Sequence, residues 1–126
     1  MQMTTQFTIE NPPKSYKEKR PWGDFVKFVE NLPCTVKTIT VNSGQAFSLQ
    51  YHDSRDEFWY ILSGNGIATV GEEKIEIKAG LELFIPRKML HRIEAGDENV
   101  TFLEIAYGTF DEEDIVRIED KYNRVK

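Results

Sequence analysis

Two histidines, His52 and His91, are the only imidazoles in the sequence, and His52 stands among other groups that bind cations. Gln50 precedes it by two residues, and Glu57 follows across Asp53-Ser54-Arg55-Asp56. Alternate residues of a strand share a face, so Gln50 and His52 point the same way, and a hairpin of this length can bring Glu57 beside them. His91, delivered from the segment after Pro86, would complete a set of two imidazole nitrogens, one carboxylate and one amide oxygen. That mixture suits one divalent first-row metal ion: Zn, Mn, Fe, Co or Ni. Taken singly, each residue has an ordinary explanation as a surface or hydrogen-bonded group; the common face is what makes them a metal-site candidate.

Short apolar segments must position these groups. They recur at 35–41, 47–52, 57–62, 66–70, 74–78, 81–85 and 100–107, separated by Gly, Asn, Asp and Pro turn signals, which is the pattern of an all-β sandwich or barrel. No stretch of ten residues at helical spacing interrupts the series; short helical turns are expected only near the C-terminus, at 111–115 and 119–123. Residues 1–19, with Asn11-Pro12-Pro13 and a charged run, read as an N-terminal arm, and 20–126 as a single domain.

Composition narrows the partners. A net charge of −5 leaves no basic excess for phosphate backbones, so no nucleic-acid partner is expected. No apolar run approaches the roughly 20 residues that span a bilayer and the polar start has no signal-peptide core, so a cytoplasmic protein without a membrane partner is expected. Cys34 is the single cysteine, too few for an intrachain disulfide or a zinc ribbon.

The opposite strand face raises a separate expectation. With Gln50, His52 and Glu57 turned into a barrel, Phe47, Leu49, Tyr51, Phe58, Tyr60 and Leu62 would point outward as one large apolar patch. The N-terminal arm or a second subunit should cover it, and a homodimer through this face is expected.

The spacing resembles the cupin superfamily. Its first motif, G-x5-H-x-H-x3,4-E-x6-G, is matched by Gly44, Gln50, His52, Glu57 and Gly64, with Gln50 in place of the first histidine. The second, G-x5-P-x2-H-x3-N, is matched by Gly80, Pro86 and His91, with two extra residues before His91 and Ala95 in place of Asn. "RPWGDF", "SLQYHDSRDEFW", "IPRKMLHRI" and "EEDIVRIEDKYNR", in this order, are further similar to the type II phosphomannose isomerase cupins. The chain departs from them at Asp53-Ser54, Phe58, Ala106 and Asn123, changes that fall on the pocket rim and the tail.

The resemblance implies a double-stranded β-helix (jelly-roll) barrel, and a metal-dependent interconversion of mannose 6-phosphate and fructose 6-phosphate. No Gly-rich phosphate loop occurs, so a standalone form without a guanylyltransferase domain is expected. Isomerisation moves a proton between C2 and C1, which requires a base and a means of stabilising charge on oxygen. Glu104 would face inward if Phe102 and Ala106 do, and it is the candidate for proton transfer or for orienting a ligand. Basic residues must take the phosphate of a sugar-phosphate substrate. Arg55, Arg87, Lys88 and Arg117 are available; the family match favours Arg55 and Arg117, with Arg117 also placed in the catalytic set. Alternatives are a noncatalytic metal- and sugar-binding cupin and an iron-dependent cupin dioxygenase.

Overall fold

A computed structural model describes residues 12–122 and 124. Eleven strands are present: β1 Tyr16–Arg20, β2 Gly23–Lys27, β3 Thr35–Val41, β4 Leu49–Tyr51, β5 Arg55–Ser63, β6 Gly66–Val70, β7 Glu73–Ile77, β8 Glu82–Ile85, β9 His91–Ala95, β10 Val100–Gly108 and β11 Val116–Glu119. β3-β10-β5-β8 form one sheet and β11-β4-β9-β6-β7 the other, all neighbours antiparallel, and together they make the expected jelly-roll barrel. No helix among the described residues is long and apolar enough to cross a membrane.

Period-2 alternation along β5 divides the barrel interior into two zones. Arg55, Glu57, Trp59 and Ile61 form its inner row, polar at the first two positions and apolar at the last two. The apolar half joins Phe102, Val100 and Val41 from its own sheet and Ala68, Ile77 and Ile93 from the other in a buried core. The polar half has no such filling and becomes the site. Gly64 follows β5 at φ 108°, where a Cβ would lie 2.2 Å from the Asn99 carbonyl oxygen, so the first motif ends on a residue that only glycine fits.

The expected apolar patch is corrected in two ways. Phe47 turns inward, edge-on to Trp59 and His91, because it precedes β4 and so escapes that strand's alternation. Phe58 and Tyr60 do lie on the outer face, but Phe28, Val29, Leu32 and Cys34 pack over them, leaving Phe58 only 3% exposed. Leu62 stays exposed.

The C-terminal helical turns are also absent among the described residues. Asp111 accepts from the Glu113 N–H, and Asp120 from the Tyr122 N–H, and these local side-chain bonds favour isolated turns over helix. Val116–Glu119 instead pairs with β4 as an edge strand. The N-terminal region is more regular than an extended arm: β1 ends at Arg20 and pairs with β2 as a hairpin, joined to neither barrel sheet. Residues 1–11 of that arm lie outside the described residues.

Candidate metal centre

Three elements bring the predicted ligands together. His52 follows β4, Glu57 lies on β5 and His91 opens β9, with Gln50 directly opposite His91 in the β4–β9 pair. Ligand atoms of His52, Glu57 and His91 all lie within 4.8 Å of one another, and all three residues are buried.

Both imidazoles are held in the tautomer a metal requires. His52 Nδ1 donates to the Asp114 carbonyl at 2.6 Å and His91 Nδ1 to the Met89 carbonyl at 3.0 Å, so each Nε2 presents a lone pair to the centre. Burial lowers the pKa of both rings, that of His91 to about 4, which keeps them neutral at pH 7. His91 Nε2 is buried without a hydrogen-bond partner among the described residues. Such an orphan is costly unless something coordinates it, and a divalent cation fits this donor set.

Glu57 is 1% exposed and anchored at both oxygens: Trp59 Nε1 donates to Oε1 at 3.0 Å and Arg55 Nε to Oε2 at 2.9 Å. Burial alone would push its carboxyl up; the His91 and His52 rings and the Arg55 guanidinium outweigh that and hold it below the usual range. Gln50 is placed differently from the sequence expectation. Its Oε1 accepts from Ser48 and its Nε2 lies 3.5 Å from His52 Nε2, so the amide nitrogen faces the imidazole; only the opposite amide orientation would offer an oxygen ligand.

A cavity of about 520 Å³ opens onto Gln50, His52 and His91, within the roughly 300–1,000 Å³ typical of small-molecule sites. Glu104 lines it, on the inner row of β10 with Phe102 and Ala106 as expected, cross-strand to Trp59 and to Lys37. Burial and then the Glu57 charge push the Glu104 pKa up to about 8, against the pull of Lys37 at 3.8 Å. Arg117 reaches the same cavity from β11, and its Nε is buried without a partner among the described residues.

The other basic candidates are placed differently from Arg117. Arg55 lines the same cavity but is buried at the start of β5 and bonded to Glu57, and is not a free cation at the mouth. Arg87 pairs with Asp56, while Lys88 is exposed in the Pro86–Met89 turn at φ 72°; neither lines the cavity.

Sequence reasoning missed Lys37 and the cover formed by 110–114. The Phe110 ring lies beneath Lys37 Nζ at 4.8 Å and Arg55 Cζ at 4.4 Å, Glu112 pairs with Lys37 at 3.6 Å, and the Asp114 carboxylate accepts from the Asp53 and Ser54 N–H groups. The inner row of β3 could have pointed to Lys37, two residues before Ile39. Nothing local in "FDEED" shows where that segment lands.

Comparison with known proteins agrees with this architecture. The mannose-1-phosphate guanylyltransferase of Klebsiella pneumoniae is 37% identical over 125 residues, an alignment covering 94% of this chain and 26% of that protein. The chain therefore spans about a quarter of the length of such a relative. A cupin protein from Bacteroides fragilis superposes with a TM-score of 0.56 at 31% identity, over 60% of this chain and 66% of that one. The 4-keto-6-deoxy sugar epimerase NovW from Streptomyces spheroides shares the fold alone, with a TM-score of 0.64 at 11% identity over 82% of this chain and 66% of that one. The family model "Mannose-6-phosphate isomerase C-terminal" matches residues 10–120, and the chain belongs to this family of cupin domains related to mannose-phosphate enzymes.

Proposed function

We propose that the protein is a metal-dependent sugar-phosphate isomerase interconverting mannose 6-phosphate and fructose 6-phosphate. The observation that carries this reading is the convergence, at one cavity, of the buried His52–Glu57–His91 cluster, a buried carboxyl and an arginine whose Nε has no partner among the described residues. A divalent cation held by His52, Glu57 and His91 would supply Lewis-acid stabilisation of the negative charge that develops on a sugar oxygen.

The chain's own residues supply the rest. Glu104, with a pKa of about 8, is a group in the cavity able to hold or release a proton near neutral pH. Arg117 offers its guanidinium to the phosphate, with Lys37 nearer the mouth. Trp59 and Phe47 wall the apolar side of the cavity and limit water there. A coupled assay of metal-reconstituted protein with mannose 6-phosphate tests this reading: turnover is expected with wild type and its loss with Glu104→Gln. No turnover with any of Zn, Mn, Fe, Co or Ni would sink it and leave the noncatalytic metal- and sugar-binding reading.

A second reading rests on the ligand set itself. Two histidines and one carboxylate with open positions are also the set used by nonhaem iron oxygenases. Oxygen consumption by the iron-loaded protein in the presence of a sugar substrate would favour it over isomerisation.

A further inference from the structure

The guanidinium of Arg55 is unusual in where it spends its hydrogen bonds. The residue is 5% exposed; its Nε donates to Glu57 Oε2 at 2.9 Å and its Nη2 stands 3.2 Å from His52 Nε2. His52 and Glu57 are two of the three residues able to hold a cation. A neutral imidazole has one ring lone pair, and His52 Nδ1 already carries the proton because it faces the Asp114 carbonyl. The Nε2 lone pair can therefore serve the guanidinium or a metal ion, one at a time.

Charge sharpens the conflict. A guanidinium and a divalent cation are both positive and are drawn to the same two acceptors, so they repel each other there. In a buried site the repulsion is weakly screened, and the side chain has to move. Its remaining contacts lead to one segment: Nη1 donates to the Asp111 carbonyl at 3.2 Å, and the guanidinium lies over Phe110 at 4.4 Å from the ring centre.

We propose that Arg55 is a built-in competitor of the metal ion: guanidinium and divalent cation contend for His52 Nε2 and Glu57 Oε2, and ion binding displaces Arg55 and with it the 110–112 part of the cover, while Asp114 stays on His52 Nδ1. This rests on the metal-centre reading above. Arg55 thereby sets metal affinity, and the same displacement opens the cavity when the ion arrives.

Calorimetric titration of Mn2+ and Zn2+ into wild type, Arg55→Gln, Arg55→Lys and His91→Ala at neutral pH tests the proposal. Arg55→Gln is expected to bind at least about tenfold tighter than wild type, the factor carried by one charge-assisted hydrogen bond no longer opposed to the ion. Arg55→Lys, a point charge without the fork that spans both acceptors, should fall between them, and carries the test if the Gln variant does not fold. Equal or weaker binding by these variants overturns the proposal and leaves the metal centre standing. Binding by wild type and Arg55→Gln no better than by His91→Ala overturns both. Hydrogen exchange across 110–112 should speed up when metal is added to wild type, and unchanged exchange refutes the displacement.

Discussion

Gln50 on β4 stands directly opposite His91 on β9, and on its other side faces Arg117 of β11. One row across the sheet thus carries an arginine, an amide and an imidazole, and adjacent strands of the facing sheet supply Glu104 to the same cavity and Glu57 to the cluster with His52 and His91. The site is a product of register: a slip of one residue in β4 would turn Gln50 away from it.

His91→Ala removes a ligand whose ring is already committed, through Nδ1, to one orientation. Metal content measured by elemental analysis should fall from one ion per chain to background, and turnover by more than the roughly 10–100-fold typical of losing a mere supporting residue. One ion per chain retained by the variant would move the centre elsewhere.

Glu112 stands 76% exposed beside Lys37, so a phosphate approaching Lys37 must first displace a carboxylate. Such exposed pairs are worth about 0.2–1 kcal/mol. Glu112→Gln should therefore lower KM for the sugar phosphate by about 1.4-fold to fivefold with kcat unchanged. A raised KM would show that Glu112 assists binding.

The pH dependence of stability in the presence of a chelator has two opposed windows. Glu104 keeps its proton up to about 8 in the native state because of burial and the Glu57 charge, whereas the ordinary value is 4.5. Its contribution is full below pH 4.5 and is lost as pH rises to about 8. His91 runs the other way: burial holds it at about 4 against an ordinary 6.5, so its contribution is present above 6.5 and lost as pH falls towards 4. Between pH 6.5 and 8 the wild-type melting midpoint should fall while that of Glu104→Gln stays level. Parallel curves over that range would contradict the placement of Glu104 as a buried acid.

We propose, further, that the chain pairs with a second copy. The hairpin β1–β2 joins neither barrel sheet and holds Tyr16, Trp22 and Val26 exposed, and two-stranded hairpins are marginal in water without a packing partner. Light scattering should give twice the 14.7 kDa chain mass, reduced by Trp22→Ser; a single-chain mass at micromolar concentration would refute pairing.

Much of this was legible in the chain. Alternation puts Arg55, Glu57 and Trp59 on one side of β5, because that geometry is local, but β4 and β5 belong to different sheets, so Glu57 meets His52 across the barrel and not across the expected hairpin, a non-local outcome the spacing did not show. The inward turn of Phe47 was not legible, since it lies just outside the strand whose alternation was applied to it. The burial of Phe58 was hidden for a different reason: its cover, 28–34, is an irregular segment with no periodicity to announce it. Arg55 illustrates the limit most clearly. Its position in a turn-like stretch suggested a solvent-facing cation, whereas the structure starts β5 there and commits the guanidinium to Glu57 and His52.

The central claim is best tested by following mannose 6-phosphate by proton NMR in D2O with the metal-loaded protein. The account predicts formation of fructose 6-phosphate together with loss of the C2 hydrogen signal at a matching rate, both abolished by chelator. No product and no exchange at C2 with any of Zn, Mn, Fe, Co or Ni would contradict it.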